Sequence, residues 1–188
     1  MPRRVAGPRA FVISGPPASG KSSLGALLAR DLGAALLDQD VMTGPLVAVI
    51  AGLVGAPAND LDDPRLRAAS RNAIYQVLLD AAVANLAVGT SVVLVAPFAR
   101  ERSDPRRWKL VSEQLAAGGA PHLLWMSCPT DELVRRMRAR AAPRDRAKLA
   151  GLAAYLTAEA LMPPAVTHTV IAATSSVDCQ LEQALAAG

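Results

Sequence analysis

Gly15-Pro16-Pro17-Ala18-Ser19-Gly20-Lys21-Ser22 sets two glycines, a lysine and a hydroxyl at the spacing of a phosphate-binding loop. A triphosphate carries several negative charges. Backbone N–H groups turned inward at a helix N-terminus meet those charges with many donors and a favourable dipole. Pro16 and Pro17 have no N–H to offer, so the expected donors are the amides of Ala18, Ser19, Gly20, Lys21, Ser22 and Ser23. Gly15 and Gly20 permit torsions and a close approach that a side chain would block. Lys21 is expected to reach the β- and γ-phosphate oxygens, and the Ser22 hydroxyl to ligate Mg²⁺. The competing reading is a plain Gly/Pro turn joining a strand to a helix, and the flanks argue against it. An apolar run, Ala10 to Ser14, precedes them and a helix-forming stretch, Leu24 to Leu32, follows, which is the setting of a nucleotide site.

A second group closes the next apolar run, Leu36-Leu37-Asp38-Gln39-Asp40. In an extended chain residues i and i+2 face the same side, so both carboxylates are expected beside the phosphate loop. Two acids there hold Mg²⁺ or its waters, orient an acceptor hydroxyl and accept its proton during phosphoryl transfer. The competing reading is that one aspartate merely caps the following helix. Arginines form a third group. Arg136 and Arg140 are i and i+4, on one face of a helix, and Arg144 follows Pro143, which interrupts that helix. Fixed guanidinium groups neutralise the charge that spreads over the phosphoryl oxygens in the transition state. A solvated basic helix is the alternative. Asp145 and Lys148 are expected to steady this segment rather than touch substrate.

These groups need elements to hold them. Ala10 to Ser14, Ala34 to Asp38, Ser91 to Ala96, His122 to Ser127 and His168 to Ala173 are short apolar or β-branched runs separated by helix-like stretches. The alternation predicts an α/β protein, a five-stranded parallel sheet with helices on both faces. Asp63-Pro64, Asp104-Pro105 and Cys128-Pro129-Thr130 mark helix starts. Ligands in such sheets bind beyond the carboxyl ends of the strands, where all three groups fall. His122 and His168 lie at strand starts, away from that edge, and are expected to be structural.

The chain of 188 residues suits a single domain, 1–188, with 1–8 expected to be mobile. Its hydrophobic content is 52%, yet no apolar run approaches the roughly 18 to 20 residues that span a bilayer. Met1 to Arg9 lacks an apolar signal core, and Cys128 and Cys179 lack metal-ligand or disulfide-framework spacing. A cytoplasmic protein with no membrane partner is expected. The net charge of +4 comes from arginines clustered at 100–107 and 135–146, while aromatics are only 3% of the chain. Single-strand nucleic-acid binders interleave rings with charge, so a small polyanionic ligand is the more economical partner.

With these residues in view, the chain resembles the small P-loop kinases of the nucleoside-monophosphate-kinase-like group, in particular shikimate-kinase-like, gluconate-kinase-like and chloramphenicol-phosphotransferase-like enzymes. The resemblance rests on the phosphate loop, Asp38-Gln39-Asp40, Arg136-Met137-Arg138-Ala139-Arg140, Pro143-Arg144-Asp145 and Thr174-Ser175. It implies a P-loop kinase architecture with ATP and Mg²⁺ as cofactors. It also implies Asp38 near Mg²⁺ and the attacked hydroxyl, Asp40 holding the acceptor, and Arg136 and Arg140 in a lid over ATP spanning about 136–150. Thr174 to Val177 would border the adenine. One departure is that Val92-Val93-Leu94-Val95-Ala96-Pro97 ends without the acid that many P-loop proteins use for the metal's waters. The metal is then left to Ser22 and the aspartates of 38–40.

The acceptor pocket is expected between the segment after Asp40, the helix within 63–87 and the loop after the third strand. Val41 to Gly55 has no charged side chain, which favours a larger, partly apolar, hydroxyl-bearing acceptor such as an antibiotic or nucleoside-like natural product. Phe98, Arg100 and Arg102 are expected to contact it from the opposite side. The alternatives are a metabolic sugar or nucleoside kinase, a nucleotide-dependent regulatory or toxin module, and an RNA-end kinase. Alanine-rich helices leave a homodimer open.

Overall fold

β1 (Ala10–Ser14) is buried at every position. A strand apolar on both sides needs cover on both sides, so it belongs in the middle of a parallel sheet layered between helices. The computed structural model describes residues 7–57, 60–117, 119–156 and 161–188, with only the backbone at 144 and 147, and sets β1 at that centre. The other strands are β2 (Ala35–Asp38), β3 (Val92–Val95), β4 (His122–Ser127) and β5 (Thr169–Ala172), in the order β2-β3-β1-β4-β5, all parallel. The expected five-stranded parallel sheet is what forms, with strand ends within one residue of the apolar runs. Most of the stretch expected to be mobile, 1–8, lies outside the described residues.

The helices are α1 (Lys21–Leu32), α2 (Gln39–Leu53), α3 (Pro64–Ala87), α4 (Ala99–Arg102), α5 (Pro105–Leu115), α6 (Thr130–Arg140), α7 (Arg146–Ala150), α8 (Leu152–Leu156) and α9 (Val177–Ala186). The two-residue period of β1 sorts the core into two layers. Ala10 and Val12 join Leu37, Leu78, Leu94 and Leu115 on the face covered by α3 and α5. Phe11 and Ile13 join Leu24, Leu28, Val93, Leu124, Met126 and Ala184 on the face covered by α1 and α9. A third cluster, Leu133, Met137 and Tyr155, joins α6 to α8.

Helix starts follow the expected chemistry. Asp63 accepts from the amides of Arg65 and Leu66, with Pro64 as the first helical residue, and Asp104 accepts from the amide of Arg106, with Pro105 in the same role. Pro129 precedes α6 without a side-chain cap. That helix ends ahead of Pro143: Ala141 turns left-handed at φ 48°, and Pro143–Asp145 follows as a 3₁₀ turn. Because every strand runs the same way, the carboxyl ends of β1, β2, β3 and β4 share one edge, and the residues of the candidate site gather there.

α1 lies against this sheet at a glycine. A Cβ added at Gly25 would come within 2.5 Å of Val95 Cγ2 and 3.4 Å of Leu36 Cδ1. Val95 is β-branched and buried in β3, so it has little room to yield. Gly25→Ala is therefore expected to destabilise the fold by about 1–3 kcal/mol through overpacking, even though alanine at an exposed helix position would gain about 1 kcal/mol over glycine. Urea denaturation measures the sign. A stabilised variant would show that α1 stands off the sheet.

Candidate active site

The phosphate loop leaves β1 at Ser14 and enters α1 at Lys21. A Cβ at Gly15 would lie 2.8 Å from Met126 Cβ and 3.0 Å from the Met126 carbonyl, so only glycine lets the loop pass over β4. Ala18 and Gly20 hold left-handed torsions, φ 64° and 95°. A non-glycine residue in that region costs free energy that its surroundings must offset, a pattern concentrated at binding sites. Gly20 caps α1 without a side chain, which leaves the first amides of the helix to other partners. Lys21 Nζ donates to the Pro16 carbonyl at 2.7 Å, folding the lysine along the loop. Ser22 and Ser23 are exposed, whereas Ser19 is buried and its Oγ has no hydrogen-bond partner among the described residues.

Asp38 and Asp40 approach this loop by a different geometry from the extended one expected. The chain turns helical at Gln39, because Asp38 Oδ1 accepts the amides of Asp40 at 2.9 Å and Val41 at 3.4 Å and so caps α2. Asp40 thus sits in the first turn of a helix rather than two positions along a strand. Both aspartates nonetheless line one cavity with the loop, Asp38 buried and Asp40 exposed. Oδ2 of Asp38 takes part in neither capping bond.

Arg136 and Arg140 project from one face of α6 into the same cavity. Arg136 Nε donates to Glu132 at 2.6 Å and its Nη2 to the Ala173 carbonyl at 2.8 Å, which ties α6 to the end of β5. Arg140 holds Asp145 through two bonds of 2.5 and 2.7 Å. Hydrogen bonds from Arg135 and then Arg136 push the Glu132 carboxyl down to about 2, so it stays ionised under ordinary conditions. Asp145 is buried, and its bonds to Arg140 raise the guanidinium further. Lys148 reaches Asp62 at 2.7 Å, joining α7 to the segment before α3. Asp145 and Lys148 line the cavity beside Tyr155 of α8, whose hydroxyl is buried without a partner among the described residues.

The cavity, about 1320 Å³, runs from the phosphate loop to a second half between α2 and α3. Val47, Ala48 and Ala51 form its apolar wall, and Arg67, Ser70, Arg71, Ile74 and Tyr75 its other side. Arg71 pairs with Glu101 at 3.0 Å and lies 4.5 Å over the Tyr75 ring. Sequence reasoning passed over these α3 side chains, although the i, i+4 spacing of Arg67 and Arg71 marks a basic stripe on a helix already assigned to the pocket. Arg100 lines the cavity as expected. Phe98 and Arg102 do not, and both readings are corrected: each has 0% exposure. Phe98, at φ 44°, packs edge-on against Tyr75, whose hydroxyl accepts the Phe98 amide at 2.9 Å. Arg102 is buried over Trp125. Thr174 and Ser175 lie outside the cavity lining, in the turn after β5 beside Ala173. His122 stacks on Phe11 and His168 bonds the Val166 carbonyl.

The fold is the one that small P-loop kinases adopt. Solved structures sharing the fold include a gluconokinase from Sinorhizobium meliloti 1021 (20% identity, 96% of this chain and 91% of that one, TM-score 0.59). An APS kinase from Mycobacterium tuberculosis (19%, 96% and 98%, 0.59) and the shikimate kinase of Aquifex aeolicus (13%, 94% and 94%, 0.53) also share it. Residues 11–164 match the AAA domain family, and the chain belongs to that family. No curated protein matches its sequence.

Burial, then Asp145 and Asp62, pushes the Tyr155 phenol up to about 12, and burial raises Tyr75 as well. A phenol raised above its unfolded value contributes stability that is fully present below pH 10 and is lost as pH rises through about 12. With 2 tyrosines in the chain, phenolate absorbance at pH 10.5 should stay well under half of that of two free phenols. Full ionisation there in the folded protein would contradict the enclosure of Tyr155.

Proposed function

We propose that the protein is an ATP- and Mg²⁺-dependent O-phosphotransferase acting on a hydroxyl of a small polar molecule in the cytoplasm. One observation carries this reading: phosphate loop, aspartates 38 and 40, and arginines 136 and 140 line a single cavity with a second half beyond them, between α2 and α3, for an acceptor. The acceptor oxygen bonds to the terminal phosphorus as the bond to the bridging oxygen breaks, and ADP leaves with that electron pair. The hydroxyl proton passes to Asp38, through the carboxylate oxygen that capping leaves over. Lys21, Arg136 and Arg140 balance the charge on the moving phosphoryl group. Gly15 and the amides of residues 18–23 cradle the phosphates, with Thr174 and Ser175 bordering the base beyond Arg136. Arg100, Asp40 and the α3 arginines orient the acceptor.

Mg²⁺ keeps several waters and takes one or two protein oxygens together with phosphates. Ser22 and Asp38, which both line the cavity, suit that demand, and no cluster of three ligating acids, histidines or cysteines exists among the described residues. The ion would draw charge from the phosphate oxygens.

Sugar acids, hydroxy acids and nucleotide-like acceptors, as the names gluconokinase, shikimate kinase and APS kinase suggest, fit Arg67, Arg71 and Arg100. A larger natural product, an antibiotic included, is the second reading, favoured by the uncharged wall of α2. Incubation with Mg²⁺-ATP and both panels, followed by mass spectrometry, separates them; ATP turnover without any phosphorylated product would count against both. Asp38→Asn keeps a good helix cap but loses the base, so kcat is expected to fall about 10²–10⁴-fold with ATP affinity nearly unchanged. Lys21→Ala is expected to lower kcat/KM for ATP by about 10²–10³-fold. Undiminished turnover in either variant, by steady-state assay, would remove that residue from the mechanism.

A further inference from the structure

Among the described residues, Arg102 has the largest side chain fully withdrawn from solvent. A guanidinium carries five donors and cannot shed its charge, so burying it demands partners. Its carbon lies 4.2 Å from the centre of the Trp125 ring. Nε donates to the Pro97 carbonyl at 3.3 Å, and Nη1 donates to the carbonyl of Met162. The Arg102 carbonyl in turn accepts the amide of Ala165 at 2.9 Å.

The targets of these bonds belong to two separate stretches of the chain. Pro97 follows β3, lines the cavity, and its carbonyl also accepts Ser14 Oγ at 2.5 Å. Ser14 is the last residue before Gly15, so this carbonyl is shared by Arg102 and the root of the phosphate loop. Met162 and Ala165 lie where the chain returns from the arginine-rich segment toward β5. The neighbouring residue, Glu101, holds Arg71 of the acceptor wall. A lysine would offer a point charge here, whereas the planar fork bonds two carbonyls and faces a ring at once.

We propose that Arg102 is a positioning residue for phosphoryl transfer, fixing the chain at Met162 and Ala165, which returns from the 136–150 lid, to the end of β3. Arg136 and Arg140, which already line the cavity, then meet phosphates held in the same frame as the returning chain. The proposal rests on the kinase reading above. It assigns Arg102 no contact with substrate.

The test compares wild type, Arg102→Met, Arg102→Lys and Trp125→Phe with Mg²⁺ and adenylyl imidodiphosphate as the probe. Trypsin cleavage at the basic residues of 136–150 is followed with and without it, alongside probe affinity. In wild type the bound probe should slow lid cleavage. Arg102→Met should bind the probe but lose about tenfold of that protection, since a small misplacement of catalytic groups is enough to undo it. Arg102→Lys and Trp125→Phe should fall between the two. A purely structural role would raise cleavage throughout the chain, with or without probe, while leaving the ratio of protection unchanged, and that result overturns the proposal. Wild type that binds the probe without lid protection also overturns it. Wild type that fails to bind the probe overturns the kinase reading itself. If Arg102→Met does not fold, full protection in both milder variants decides against the proposal.

Discussion

Gathering positive charge in one cavity works against the fold, because like charges repel most strongly where water is scarce. Acid partners answer that constraint. Arg136 leans on Glu132, Arg140 on Asp145, Lys148 on Asp62 and Arg71 on Glu101. Each pairing also aims its cation, since a two-bond grip such as that of Asp145 on Arg140 leaves the guanidinium few orientations. A highly charged ligand therefore meets cations already ordered, and the ordering entropy is spent during folding rather than during binding.

The sheet supplies the frame for those pairings. Parallel strands send β1, β2 and β3 to the same edge, so a loop, a cap and the Pro97 carbonyl become neighbours although they lie far apart along the sequence. Two apolar layers clamp β1 from both sides, and that rigidity lets Ala18 hold its unfavourable torsion. The half of the cavity between α2 and α3 is built otherwise. α2 buries only Thr43 and Ala51 and shows Val41, Leu46, Val49 and Leu53 to solvent, so little packing restrains it.

Much of this was legible in the sequence because it is local. Val92-Val93-Leu94-Val95 reads as a buried strand, Asp63-Pro64 as a helix start, and Gly15 to Ser22 as a phosphate loop, each from neighbours a few residues away. The geometry of Asp38 and Asp40 was not. A period of two holds only while the strand continues, and Asp38 itself ends it by capping α2. Phe98 and Arg102 sit in a basic, polar stretch that reads as surface, yet their burial depends on Tyr75, Trp125 and Met162, remote in the chain. The α3 arginines were visible as a stripe, but which way the stripe turns is set by packing against β2 and β3.

The bridge from Lys148 to Asp62 joins two segments that both line the cavity. Asp62 is half exposed, so the bridge stands in reach of solvent ions. Dissolved salt competes for both partners. Ionic strength thereby becomes a control on shape: the α7 segment and the approach to α3 are held together most firmly in dilute solution, and the cavity they both line is best defined there.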